Sequence, residues 1–337
     1  MKFGKASTNA RRVLLAAALA GAIGAAVLTA TGTSTAAGNA KPTFVIGQQS
    51  SGIISLVKDS HAFDGAPYNI KWAVFPFGPP EVEAISAGQV DVGTDIGDVP
   101  PINGAAKDLG FKVVAALVPP DAKQAGNYLI VPKGSSIKKL ADLRGKNVGV
   151  PFGSSAHGFL LNAVASAGLS PTSVHFVNLV PAALAAAFSG GKIDAEAIWN
   201  PQAAVDVGRG ARVLLAGHPP LDPNVGFVVA ATKNVTDPTR KALLTDLLKR
   251  LGRAYQYGNT HPAVWVKDVQ KETGIDEKTA KVVVANGRTT IRYVTPSILK
   301  AEQQLADAFL NAKQITKRVN VTSIVVNILP PGYTGES

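Results

Sequence analysis

The residues best suited to chemistry lie between Val148 and Leu161, VGVPFGSSAHGFLL: a short apolar strand, a turn with adjacent serines, then an apolar helical pattern. Such a turn forms an anion site without metal. Ser154 or Ser155 can cap the helix, leaving the free N–H groups of its first turn, aided by the positive dipole end, to face a small oxyanion. The turn is a near miss for two catalytic motifs. A nucleophile elbow requires G-x-S-x-G, but Gly153-Ser154-Ser155-Ala156-His157 has His where the second glycine belongs, and the chain holds no G-x-x-x-x-G-K-[ST] phosphate loop. Ser155 and His157, two residues apart at a helix start, point in different directions, and no third orienting group is apparent. No catalytic residue is therefore assigned.

Positioning such a turn requires an α/β framework, and the sequence carries one twice. Glu83-Ala84-Ile85-Ser86-Ala87-Gly88-Gln89-Val90-Asp91 and Ala186-Ala187-Phe188-Ser189-Gly190-Gly191-Lys192-Ile193-Asp194 share Ala, apolar, Ser, Gly, apolar and Asp at an offset of 103. Each copy reads as a helix end, a left-handed glycine and a strand starting at the β-branched residue. Phe44 to Gly47, a polar turn with Ser50-Ser51 and a helix from Ile53 likewise answer the strand, turn and helix around Ser154-Ser155. Two lobes of like design follow. Further strands are expected at Val113 to Val118, Tyr128 to Val131, Asn147 to Val150, Val213 to Ala216 and Val225 to Ala231. The last third is expected to be helical over Pro238 to Tyr257, Pro262 to Gly274, Glu277 to Ala285 and Pro296 to Ala312. These helices are expected to pack around one lobe, with a loose Pro-Pro-Gly tail after Leu329.

The N-terminal 40 residues read as a secretory signal peptide. Lys2, Lys5, Arg11 and Arg12 precede an apolar run of 16 residues, Val13 to Leu28, and small residues follow up to Ala40. The run is shorter than the roughly 18 to 20 residues of a spanning helix. Cleavage is expected between Ala36 and Ala40, and Arg11-Arg12 leaves Sec and twin-arginine export both open. With no cysteine, the chain offers no disulfide, no thiolate metal site and no residue for an N-terminal lipid. A soluble, unanchored periplasmic protein of about 297 residues is expected, enough for two domains.

Formal charge is +11, or +7 without the four signal cations, which steers anions toward the protein. Nucleic acid fits poorly, because aromatics are 6% of residues and the cations are dispersed over Lys138-Lys139, Arg209, Lys249-Arg250 and Lys317-Arg318. The five histidines, His61, His157, His175, His218 and His261, show no H-x-x-x-H or H-E-x-x-H spacing, so neither a metal site nor a cofactor is expected.

Six segments in order carry a family resemblance: Val45-Ile46-Gly47-x-Gln49, Phe75-Pro76-x-Gly78-Pro79, Gly97-Asp98-Val99-Pro100-Pro101, Leu140-Ala141-Asp142-Leu143-Arg144-Gly145-Lys146, Gly153-Ser154-Ser155-x-His157 and Ala197-Ile198-Trp199-Asn200-Pro201. From Phe44 to Leu329 the chain resembles aliphatic sulfonate/taurine/nitrate solute-binding proteins of ABC importers, closest to the aliphatic sulfonate-binding branch. The resemblance implies an α/β, two-lobed periplasmic-binding-protein (type II) fold with two crossover hinges and extra C-terminal helices. Crossovers are placed near Asn127 to Pro132 and Val225 to Ala231, giving lobe 1 as residues 41–130 plus 227–337 and lobe 2 as 131–226. It further implies a monomer that captures a sulfonate for sulfur acquisition and delivers it to an inner-membrane permease with its ATPase subunits.

By resemblance and local chemistry together, Ser154, Ser155 and His157 hold the sulfonate from lobe 2, and Gln49, Ser51 and Gly52 face them from lobe 1. Trp199 forms an aromatic wall with Phe77 opposite; Gly78 belongs to the same rim, and Gly97 and Asp98 lie at a strand end where α/β sheets place ligands. A micromolar ligand needs about 8 kcal/mol, whereas a helix terminus supplies roughly 0.3 to 2 kcal/mol, so donors from a second lobe are needed. Asn200 stands where relatives often carry an acid, which favours a plain alkanesulfonate; Asp98 keeps taurine open, and nitrate, bicarbonate, sulfate esters and aromatic sulfonates are alternative ligands. A receptor that presents its ligand to a membrane sensor is a further alternative. The same fold superfamily includes pyrimidine-precursor synthases, which resemble this chain only in fold and depend on cysteine-rich chemistry; the absence of cysteine argues strongly against that activity.

Overall fold

The computed structural model describes residues 41–49 and 52–335; the expected signal peptide and Ser51 lie outside the described residues. Eleven strands are described: β1 (Thr43–Gln48), β2 (Asn69–Val74), β3 (Val92–Gly97), β4 (Phe111–Val118), β5 (Asn127–Val131), β6 (Asn147–Val150), β7 (His175–Asn178), β8 (Ala195–Trp199), β9 (Arg212–Ala216), β10 (Gly226–Ala231) and β11 (Thr290–Arg292). They form two sheets, ordered β2-β1-β3-β10-β4-β11 and β7-β6-β8-β5-β9. The first five strands of one answer the five of the other. In each, a parallel trio (β2-β1-β3 or β7-β6-β8) is followed by an antiparallel strand that has arrived from the other sheet, β10 or β5.

The 103-residue repeat has a structural meaning. Gly88 and Gly191 both take the left-handed conformation expected of them, at φ 73° and 64°. The strands start two residues later than the β-branched positions, at Val92 and Ala195, because Asp91 and Asp194 intervene as clamps. Asp91 accepts from the Val45 N–H at 2.9 Å and Asp194 from the Asn147 N–H at 2.8 Å, while each aspartate's own N–H donates to the same partner's carbonyl at 2.8 Å. One side chain thus ties the third strand of each trio to the middle one.

The strand expectations hold to within about two residues, but β5 lies wholly in the second sheet. The chain therefore crosses between sheets through residues 119–126 and again through 217–225, upstream of both places expected from the sequence. Periodicity marks a strand; it does not say which sheet the strand joins.

The C-terminal helices start where their proline and cap residues direct. Pro238, Pro262 and Pro296 each take a first-turn position, where a missing N–H costs nothing. Asp237 accepts from Arg240 N–H at 2.7 Å, Asp276 from Thr279 N–H at 3.0 Å and Thr295 from Ile298 N–H at 3.4 Å. Helices Pro238–Thr260, Pro262–Thr273 and Glu277–Gly287 bury Leu244, Leu248, Trp265, Val269 and Val283 with Phe44, Ile46 and Leu56 of the first sheet layer. Each such leucine contributes about 1.5 to 3 kcal/mol.

The expectation that these helices surround one lobe fails for the last of them. Helix Pro296–Asn311 places Leu305 and Phe309 in a cluster with Val99 and Ile102 and with Leu161 of helix Ser155–Ser166, so it contacts both halves. The tail after Leu329 is likewise docked: Tyr333 is buried among the same apolar residues as Leu244, and its carbonyl accepts from the Tyr293 N–H at 3.3 Å. An aromatic side chain after the Pro-Pro-Gly turn outweighs the looseness that proline and glycine suggest.

Candidate functional site

At the start of helix Ser155–Ser166, Gly153 takes φ 78° and turns the chain out of β6, and Ser154 is the helix N-cap. The Ser154 hydroxyl does not cap the helix; it donates back to the Pro151 carbonyl at 2.6 Å. That bond closes the turn, while the N–H groups of Ser155 and Ala156 have no carbonyl one turn behind them to bind. Ser155 hydrogen-bonds across to the Asp98 carboxyl. A Cβ at Gly97 would lie 1.9 Å from Ser155 Oγ, so glycine permits this approach.

A cavity of about 220 Å³ lies beside this contact. Of the residues expected from the sequence, Gln49, Gly78, Gly97, Asp98, Ser154, Ser155, Trp199 and Asn200 line it. Trp199 ends β8; Asn200 accepts from the Ala204 N–H at 3.2 Å and donates to the Tyr128 hydroxyl at 3.5 Å. The Gln49 amide nitrogen donates to the Asp95 carbonyl at 2.7 Å and to Glu81 Oε2 at 3.0 Å. Glu81 sits under the first sheet because Gly47 and Gly93 leave room; a Cβ on either would come within 2.5 Å of its Oε1.

Three expected residues do not line the cavity. His157 is 2% exposed, stacked on Phe152 at 4.5 Å and set edge-on to Phe176 and Phe309 at 6.0 and 5.2 Å. Its Nδ1 accepts from the Gly153 N–H at 3.3 Å, and burial depresses its pKa to about 4. His157 is therefore a neutral brace of the serine turn, its Nδ1 taken by the turn's own backbone. Gly52 takes φ 80° against the helix Pro262–Thr273, where a Cβ would lie 2.7 Å from Val269 N. Phe77 precedes the helix Gly78–Ser86 as its extended N-cap and is half-buried outside the lining.

Sequence reasoning missed Asp95, Asn127, Asp222, Asn224 and Arg288, all in the lining. Arg288 is the important omission. It follows the C-terminus of helix Glu277–Gly287, its carbonyl accepts from Gln124 Nε2 at 2.9 Å, and its buried Nε–H has no partner among the described residues. No local pattern distinguishes this arginine from the surface cations; tertiary folding alone brings it to the cavity.

Three carboxyl groups share the lining with Arg288. Burial pushes Asp95 up to about 6, and burial with the nearby Asp222 pushes Asp98 up to about 7 against its bonds from Ser155 and Val99. Burial also raises Asp222, which Asn127 and Asn224 oppose as donors. The cavity can therefore hold an anion at Arg288 and the helix terminus only if these acids stay protonated or meet a donor.

Two sheets of like order, joined by two crossovers with a cavity between, define the periplasmic-binding-protein fold. The NMT1/THI5-like family profile matches residues 79–265, and the chain belongs to that family. A relative from Escherichia coli strain K12, provisionally named an aliphatic sulfonates-binding protein, is 30% identical over 282 residues, 82% of this chain and 86% of its own. The alkanesulfonate-binding protein SsuA of Xanthomonas axonopodis pv. citri, solved bound to MOPS, superposes with a TM-score of 0.78 at 28% identity, covering 86% of this chain and 99% of that one. The periplasmic aliphatic sulphonate-binding protein SsuA of Escherichia coli gives a TM-score of 0.74 at 29% identity over 85% and 92%. Among the described residues no helix is long and apolar enough to cross a membrane.

Proposed function

We propose that this chain is an exported solute-binding protein that captures an aliphatic sulfonate between two closing lobes and delivers it to an ABC permease with its ATPase subunits. Lobe 1 comprises residues 41–118 and 226–335, and lobe 2 residues 127–216, the boundaries following the two sheets. The observation that carries the reading is a cavity lined both by Arg288 and by the serine turn of helix Ser155–Ser166. A guanidinium and a helix N-terminus together supply the charge-assisted donors that a sulfonate's oxygens require. The relatives add support, being sulfonate-binding proteins themselves. In this reading the protein works as a periplasmic monomer without lipid anchor, performs no catalysis and needs no cofactor.

Calorimetry on refolded, ligand-stripped protein with methanesulfonate, longer alkanesulfonates, taurine, nitrate and sulfate tests the reading. A sulfonate is expected to bind at micromolar concentration or below. If every sulfonate binds only above millimolar while another anion binds tightly, the ligand is of a different class.

A further inference from the structure

The cations that the sequence scatters over lobe 2 are gathered by its fold at one end. Residues 127–216 hold eight Lys and Arg, and the sheet register places all of them away from the cavity. Asn127 and Trp199, which line the cavity, pair at one end of β5 and β8, whereas Val131 pairs with Arg212 at the other. At that far end Lys133 follows β5, Lys146 precedes β6, Lys192 precedes β8 and Arg209 precedes β9. A strand of this length puts them roughly 15 Å from the cavity. Lys138, Lys139 and Arg144 flank the turn Leu140–Leu143. That turn is held beside them, because the Arg212 guanidinium donates to the Ile137 carbonyl and the Gly145 N–H to the Ser173 carbonyl at 2.7 Å.

Few of these charges are paired. Among the described residues one ion pair reaches this end, Arg209 to Asp206 at 3.9 Å, and every other ion pair lies in lobe 1. The acids of this end, Asp142 and Asp194, turn their carboxylates to the N–H groups of Lys138, Lys139 and Asn147 at 2.8 to 3.1 Å. Lys192 and Arg209 follow the helices Pro181–Ser189 and Gln202–Gly208, whose C-termini favour a cation locally; the other six follow no α-helix. Beside Arg209 and Arg212 stand Val207 and Val213, which the fold leaves 39% and 36% exposed. The array spans four adjacent strands, β6-β8-β5-β9, or about 14 Å. Cations spread that widely with apolar side chains among them suit an extended lipid surface and not a small ion. Independently of the ligand, we propose that this end of lobe 2 docks on an anionic phospholipid bilayer, with the cleft, at the opposite end of the strands, turned to the solution. Each Lys or Arg near such a surface strengthens binding about fivefold, and salt screens the attraction.

The test is co-sedimentation with phosphatidylcholine vesicles, with and without one-third phosphatidylglycerol. Residues 41–337, one compact unit, are used, because the cations and apolar run of residues 1–40 would bind lipid themselves. The protein is expected to sediment with the phosphatidylglycerol vesicles at about 0.05 M salt, to be released at about 0.5 M, and to ignore phosphatidylcholine alone. Two variants carry the same loss of charge. Lys133→Gln, Lys138→Gln, Lys139→Gln and Lys192→Gln together are expected to weaken binding at least twentyfold. Lys58→Gln, Lys71→Gln, Lys241→Gln and Lys300→Gln together, equally exposed on lobe 1, are expected to weaken it less than threefold. Both should melt within a few degrees of the natural chain, since every replaced lysine is exposed. No sedimentation with phosphatidylglycerol at low salt overturns the proposal. An equal or greater loss in the lobe 1 variant also overturns it, by showing that net charge and not this surface meets the lipid.

Discussion

His157 illustrates how a single residue can brace a turn from outside the cavity lining. Its Nδ1 takes the Gly153 N–H, its ring fills the space between Phe152 and Phe309, and its buried Nε2 has no partner among the described residues. Burying a cation among these aromatics holds the pKa at about 4 rather than 6.5, and a proton on Nδ1 would also break the bond from the Gly153 N–H. The unfolded chain takes up this proton near pH 6.5 and the folded protein only near 4, so the stability that depends on neutral His157 is complete above pH 6.5. It is lost as pH falls from 6.5 through 4. His157→Phe keeps the aromatic slab and removes the titration. At pH 7 the variant is expected to be about 1 kcal/mol less stable, from the stranded Gly153 N–H. Between pH 7 and 4 it should lose about 3 kcal/mol less than the natural chain. Urea midpoints measured across that range check this, and parallel pH profiles for the two proteins would refute it.

At the scale of elements, β3 and helix Ser155–Ser166 meet through glycines. Gly97 admits Ser155, and a Cβ at Gly158 would lie 2.8 Å from Val99 Cγ2 and 3.3 Å from Leu305 Cδ1. Gly97→Ala keeps a backbone that alanine tolerates but sets a methyl group on the Ser155 hydroxyl, so the two elements must separate. Ligand affinity is expected to fall at least tenfold, about 1.4 kcal/mol, with a melting temperature within a few degrees of the natural chain; unchanged affinity would show that this contact is not part of closure. The sequence made the strand, the turn and the helix legible because each has local signals: a β-branched run, a glycine at positive φ, a serine N-cap. Even the clamp aspartates were visible as the end of a repeat. Arg288 and Asp95 were not, because their relevance depends on which elements fold over the cavity, and neither periodicity nor capping encodes that. The place of His157 was hidden for a related reason: spacing sets it beside the serines, and only the fold shows its ring packed on Phe152, Phe176 and Phe309.

Across the whole molecule the two sheets are joined where the crossovers run side by side, and Asp222 is the clasp between them. It takes Asn127 N and Nδ2 from the end of the first crossover, each at 3.0 Å, and Asn224 N from its own at 3.1 Å. Asn224 Nδ2 returns a bond to the Gln124 carbonyl at 2.8 Å, and Gly217 N–H donates to the Asn127 carbonyl at 2.7 Å. Gly126 and Gly217 make the packing possible, since a Cβ on either would come within 2.4 Å of Asn224 Oδ1 or 2.2 Å of Asp222 Oδ2. Asp222→Ala strands three donors where both connections pass, and should cost about 2 to 4 kcal/mol, or roughly 3 to 7 °C in melting temperature for a chain of this size. A purely local packing role predicts that loss and nothing more. A clasp that sets the relation of the lobes predicts two further effects: a larger radius of gyration for the ligand-free variant in solution scattering, and roughly tenfold weaker binding, because a smaller fraction of molecules is competent to close. If the melting temperature falls while the scattering profile and the affinity stay those of the natural chain, Asp222 stabilises the crossovers without governing how the lobes meet.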